Sequence, residues 1–222
     1  MTGYRMGAII SKNTVQWAVA SYASFGLEAQ FVPMYETQLP HEWEYISKDC
    51  GAKILLAANL AIYDQIKSFP KNLENLEHTV LLEGEEDPET ISYHTLLQKG
   101  IDQPVESRNP DYEAEMGMLY TSGTTGNPKG VLLTHHNMLF IVASVMQALR
   151  MDPGDRSLSF LPWAHSFGQL AEVHALIQSG YSAGLVADVN EIIDDMGLVK
   201  PTIFFAVPRV YNRIYDRLNA QI

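Results

Sequence analysis

Twelve consecutive residues hold the densest concentration of chemically useful groups: Tyr120-Thr121-Ser122-Gly123-Thr124-Thr125-Gly126-Asn127-Pro128-Lys129-Gly130-Val131. Glycines let backbone approach a ligand closely where a Cβ would block it. The hydroxyls of Thr121, Ser122, Thr124 and Thr125, with the loop N–H groups, can all donate hydrogen bonds, and Lys129 adds a fixed positive charge. Such a loop suits the oxygens of a polyphosphate. It is not a Walker A loop, which needs Gly-Lys followed by Ser or Thr, because here Lys129 precedes Gly130. Nor does its spacing fit a dinucleotide fingerprint. A Gly-rich hairpin turn with solvent-facing hydroxyls has the same composition, and spacing alone leaves both readings open.

Other reactive residue types are sparse. Adjacent His135 and His136 would be aimed apart by either a helix or a strand, which argues against shared metal ligation. His174 reads as an ordinary helix residue. Cys50 is the only cysteine, so an internal disulfide and a multi-Cys zinc site are excluded. It reads as a small buried hydrophobe. Trp17 and Trp43 read as packing residues, and no metal site is expected.

The elements that position the loop come from a chain of 222 residues, 46% hydrophobic and 18% charged, enough to bury a sizeable core. The longest apolar stretch, Val15 to Pro33, is interrupted by Glu28, against a membrane-crossing helix. The first residues, Met1 to Arg5, form neither a secretory signal nor a transit peptide. The net charge of −11 is the wrong sign for a nucleic-acid-coating protein. Ten acidic residues against only Lys99 and Arg108 lie between Glu83 and Glu115, and this block reads as solvated surface.

Periodicity predicts an α/β fold in three regions: 6–82, an acidic connection 83–114, and 115–222. In the first, strands at Met6–Ile10, Phe31–Pro33 and Lys53–Ala57 alternate with helices from Val15 to Gly26 and from Leu39 to Cys50. That β-α-β-α-β order implies a parallel sheet. The connection is expected to be irregular, with one short helix near Ile91–Gln98. The third region predicts strands at Met116–Thr121, Val131–Leu133, Ser157–Leu161, Ala183–Ala187 and Thr202–Ala206. Helices are expected at His136–Leu149, Phe167–Gln178 and Glu191–Leu198, repeating the rhythm as a second layered subdomain. In the last segment Val210, Ile214 and Leu218 form an apolar stripe beside Arg209, Arg213 and Arg217, read as a solvated face. The chain starts on a strand and stops inside this helix, so a fragment of a longer protein is expected.

The run Tyr120–Val131 resembles the signature of the adenylate-forming superfamily, the AMP-dependent synthetases. Thr134-His135-His136-Asn137 looks like its continuation, and Leu161-Pro162-Trp163-Ala164-His165 resembles the second core motif. Ile9-Ile10-Ser11-Lys12-Asn13, Val32-Pro33-Met34-Tyr35-Glu36-Thr37 and Lys200-Pro201-Thr202 through Val210 look most like long-chain fatty acyl-CoA synthetases. The resemblance implies residues 1–222 are a truncated part of the AMP-binding large domain, built from two layered α/β subdomains.

The implied activity is long-chain fatty acid–CoA ligation. A carboxylate attacks the α-phosphate of ATP, giving acyl-adenylate and pyrophosphate, and the coenzyme A thiol then displaces AMP. The resemblance assigns Thr121, Ser122, Gly123, Thr124, Thr125, Gly126 and Lys129 to the phosphates. It makes Lys129 and His165 the catalytic candidates, with His165 beside the carboxylate and α-phosphate. Mg2+ is implied with ATP, and the partners are fatty acid, ATP and coenzyme A. The implied setting is intracellular, cytoplasmic or peripheral on an organelle membrane. Some long-chain members carry a gating Trp four residues after the motif His, where this chain has Gln169. The family's later motifs lie beyond Ile222, so the chain alone is expected to be inactive. A truncated paralogue that binds nucleotide or a partner without chemistry is the alternative.

Overall fold

The computed structural model describes residues 6–85, 88–122 and 126–219. The chain divides into two compact units, Met1–Met138 and Leu139–Ile222.

The first unit is built on β1 (Met6–Ile10), which pairs in parallel with β2 (Gln30–Met34) on one side and β3 (Ile54–Asn59) on the other. Parallel neighbours cannot be joined by a tight turn, so each connection needs a crossover. The local sequence supplies them. The Thr14 hydroxyl accepts from the Trp17 N–H at 3.1 Å to start α1 (Val15–Gly26). Pro40 opens α2 (Pro40–Asp49), and the Glu42 carboxylate accepts from the Leu39 N–H at 2.8 Å. Gly51, at φ +67°, then reverses the chain after the helix, a conformation that favours glycine.

Two elements missing from the sequence prediction extend the sheet. They are α3 (Leu60–Ile66), capped by Asn59, and β4 (His78–Glu83), parallel to β3. The acidic connection is more ordered than expected. It holds β5 (Ile91–Ser92), parallel to β4, and α4 (Tyr93–Asp102). It is also tied to the end of α1, where the Arg108 N–H donates to the Gly26 carbonyl at 2.6 Å and its guanidinium pairs with Glu28.

The expected boundary near residue 115 does not separate two sheets. β6 (Glu115–Thr121) pairs in parallel with β2, and β7 (Lys129–Thr134) returns antiparallel to β6. One seven-stranded sheet results, in the order β5-β4-β3-β1-β2-β6-β7. On one face Ala8, Ile10, Leu55, Ala57 and Leu81 pack with Trp43, Ile46 and Ile66. On the other, Trp17 meets Phe31 edge-to-face at 5.1 Å. Both tryptophans are core residues, as expected. α5 (His135–Ala148) follows β7.

In the second unit β8 (Arg156–Ser159) and β9 (Ser182–Leu185) form a two-stranded parallel sheet. Between them run α6 (Ser166–Gly168), a wide π-type segment Gln169–His174 and α7 (Ala175–Ser179). α8 (Ile192–Val199) and α9 (Pro208–Asn219) complete it. The strand expected at Thr202–Ala206 does not form. The N–H groups of Thr202 and Ile203 both converge on the Arg156 carbonyl, so no ladder develops, and Phe204, Phe205 and Ala206 pack against Leu158, Phe160 and Ile192 instead. The arginines of α9 are not simply a solvated face. Arg213 donates to the Asn190 side chain, and Arg217 reaches the Asn190 carbonyl and Asp194.

β6 can dock on β2 only because residue 117 is glycine. A Cβ there would lie 2.0 Å from the Phe31 carbonyl oxygen. Gly117→Ala should cost about 3 kcal/mol or more, the upper end for overpacking. Urea unfolding checks this, and an unchanged midpoint would contradict the pairing.

Candidate functional site

The phosphate-loop candidate is the turn of the β6–β7 hairpin. The register sets Thr121 opposite Lys129 and Tyr120 opposite Gly130. Gly123, Thr124 and Thr125 lie outside the described residues. Thr121, Ser122, Gly126 and Lys129 are all exposed. Among the described residues no carboxylate forms an ion pair with Lys129. The base of the hairpin is anchored instead. The Tyr120 ring is buried, and its hydroxyl donates to Asp49 at 2.7 Å; burial, then that bond, pushes its pKa up. Gly130 accommodates the Tyr120 ring, which a Cβ would approach at 3.0 Å.

Parallel pairing from β4 across to β6 places the end of β6 on the same sheet edge as the ends of β1, β2, β3 and β4. Ligands of open α/β sheets gather at that edge. The β6–β7 connection therefore leaves the sheet at the edge where a ligand loop belongs.

The second candidate loop follows β8. Leu161, Trp163 and Ala164 are buried, while His165 is exposed. The His165 Nδ1 accepts from the Phe167 N–H at 3.2 Å, capping α6. In the neutral ring this leaves the proton on Nε2, so the outward nitrogen is a donor. The loop is tightly folded: the His165 N–H donates to the Pro162 carbonyl, and the Gln169 N–H to the His165 carbonyl. Gly168 lies so close that a Cβ would sit 2.3 Å from the Pro162 oxygen. Gln169, at the expected gate position, is 2% exposed.

Beneath this loop lies a residue the sequence reading missed. Glu172 is 1% exposed and receives every hydrogen bond it makes. Its Oε1 accepts from the N–H groups of Phe160 (3.1 Å) and Leu161 (2.9 Å). Its Oε2 accepts from the Ser159 hydroxyl (2.6 Å) and the Trp163 indole (3.1 Å). An acidic residue inside the apolar run Leu170-Ala171-Glu172-Val173 was the available signal.

The remaining candidates behave as the sequence suggested. His135 meets Phe25 edge-to-face, and burial lowers its pKa. His136 turns elsewhere, stacking on Tyr112 with Nδ1 2.8 Å from Glu113. His174 is buried in the π-type segment. Cys50 is buried, its thiol pushed up to about 12 mainly by desolvation. Among the described residues no group of three or more His, Cys, Asp or Glu could hold a metal.

A sequence description of the AMP-binding enzyme family matches residues 3–221. The chain belongs to that family. Among curated relatives, it is 29% identical over 223 residues to the peroxisomal long chain acyl-CoA synthetase 7 of Arabidopsis thaliana, covering 95% of this chain and 31% of that protein. It is 31% identical over 230 residues to fatty acyl-CoA synthetase A of Dictyostelium discoideum, covering 97% and 34%. The chain thus spans about a third of these relatives' length. Two solved structures share the fold. One is the anthranilate CoA ligase AuaEII in complex with anthranoyl-AMP (TM-score 0.84, 24% identity, 94% of this chain and 41% of that one). The other is ATP-bound MatB from Rhodopseudomonas palustris (TM-score 0.78, 21% identity, 96% and 41%). The family's α/β fold is therefore present here in part.

The environment of Glu172 makes a pH dependence. Burial raises its pKa above the ordinary 4.5, outweighing the opposing pull of Ser159, Leu161, Phe160 and Trp163. The native state then holds a proton where the unfolded chain has released it. The resulting stability is fully present below pH 4.5 and is lost as pH rises through the folded value. The thermal midpoint of the wild type minus that of Glu172→Gln should fall from pH 4.5 toward neutrality; a flat difference would contradict this.

Proposed function

We propose that this chain carries the ATP-phosphate loop and the acyl-side loop of a long-chain fatty acid–CoA ligase that forms AMP. The single observation carrying this reading is the family match across 3–221, with the curated relatives named as long-chain synthetases. In the proposed reaction a fatty carboxylate attacks the α-phosphate of ATP and the pyrophosphate leaves. The coenzyme A sulfur then attacks the acyl carbon of the adenylate, and AMP departs. Because carboxylate and thiol are the nucleophiles, the protein contributes position and charge.

Thr121, Ser122, Gly123, Thr124, Thr125 and Gly126 are proposed to donate to the β- and γ-phosphates, and Lys129 to neutralise the departing pyrophosphate. His165 is proposed to wall the acyl carboxylate and donate from Nε2. It has no need to act as a base, since a carboxylate is already ionised at neutral pH. Magnesium would accompany ATP, but the described residues supply no cluster fit for it, so no step is derived through the ion. The need for ATP and coenzyme A supports a proposed intracellular setting, cytoplasmic or peripheral on an organelle membrane. Among the described residues no helix is long and apolar enough to cross a membrane.

The test is pyrophosphate release and palmitoyl-CoA formation by the full-length gene product; absence of ATP-dependent acyl transfer would overturn the proposal. Within it, Lys129→Ala should lower adenylation roughly 10²–10³-fold, the usual loss for one stabilising group. Pyrophosphate release unchanged at saturating ATP would remove Lys129 from the phosphate site. At the other loop, His165→Phe should retain most activity while His165→Ala loses about 10²-fold, as misplacement of substrate does. Equal loss in both variants would instead make the ring a base.

A further inference from the structure

We propose that Glu172 is a positioning residue that fixes the Leu161–His165 loop in its working shape from inside the second unit. The proposal deepens the reading of that loop as the acyl-side wall, and rests on it.

The geometry is specific. Both carboxylate oxygens are filled, and all four partners are donors: two main-chain N–H groups, one indole and one hydroxyl. Trp163 also donates to the Ser159 hydroxyl at 3.1 Å, so Ser159 relays between the indole and the carboxylate. Every donor comes from residues 159–163, the strand end and the loop itself. The carboxylate thus holds the loop at Leu161 and Trp163 and the strand end before it at Ser159 and Phe160. The rest of the loop hangs from the Pro162 carbonyl, to which His165 donates at 3.0 Å, with Gly168 closing on the same oxygen. The His165 ring therefore stands at the end of a short chain of bonds that starts at Glu172. The π-type segment Gln169–His174 contains Glu172, and such widened turns are frequent at functional sites.

A neutral substitute cannot reproduce this. Glutamine offers one acceptor oxygen, and its NH2 would face at least one donor pair. A leucine would take the carboxylate acceptor away from all four donors in a dry interior, where each lost hydrogen bond is expensive, although Trp163 would keep its bond to Ser159.

The experiment has two arms. In the 222-residue chain, amide exchange is followed by NMR in wild type and Glu172→Gln. Exchange at Phe160 and Leu161 should accelerate ~10²-fold, and the Trp163 indole resonance should move, while amides of β1 and β3 stay unchanged. Wild-type protection at Phe160 and Leu161, or acceleration shared equally by β1 and β3, would overturn the proposal. In the full-length gene product, Glu172→Gln should lower kcat ~10-fold or more with KM for ATP unchanged, as displaced positioning does. Trp163→Phe should lower it less, and the double variant should be no worse than Glu172→Gln alone, because both act through one network. Additive losses, or wild-type kcat in Glu172→Gln, would also overturn it. A wild-type product that transfers no acyl group defeats the proposed function; the exchange arm still decides whether Glu172 holds the loop.

Discussion

Parallel pairing on both sides of β1 is the constraint from which the rest of the first unit follows. It forces α1 and α2 outside the sheet, and it delivers every strand end to one edge. Among the described strands of this sheet only β7 runs antiparallel to its neighbour, and the Gly/Thr/Lys segment joins it to β6. Unlike the crossovers that link β1, β2 and β3, the β6–β7 connection has no sheet to cross. Its base is pinned by Tyr120 on Asp49, and its described side chains stay in water. Rigid below and solvent-facing above suits groups that must meet a highly charged ligand without rearranging.

The second unit solves a similar problem by different means. Its sheet has only two strands, too little to pin a loop by pairing alone. A buried carboxylate takes over that task. Removing a carboxylate from water is costly, and burial pushes the Glu172 carboxyl up against the opposing pull of its four donors. Its value lies in geometry: one group with two oxygens can hold backbone and side-chain donors at once.

Much of this was legible in the sequence. The strands at Met6–Ile10 and Met116–Thr121 and the helix from Val15 to Gly26 follow from periodicity and residue type. The candidate-site motifs stand out in the sequence because their composition is unusual. Most of what escaped was long-range. β4 lacks strong local punctuation and forms along the edge of β3, while α3 begins at an Asn59 cap that the periodicity reading passed over. The membership of β6 in the first sheet depends on the close approach of Gly117 to Phe31, which no local pattern announces. The segment Thr202–Ala206 has strand-like composition, yet two N–H groups share one carbonyl and the residues pack instead. Glu172 was hidden because a single acid in a helix normally reads as surface.

The burial of Cys50 has a practical side. Burial pushes its thiol up to about 12, so the reactive thiolate is scarce at neutral pH, and the sulfur is shielded as well. Maleimides, disulfide reagents and mild oxidants should therefore pass the native chain by. A cysteine in place of the exposed Ser122 or Asn127 would be its sole fast-reacting thiol, so a fluorophore or spin label could be attached there without first removing the natural one.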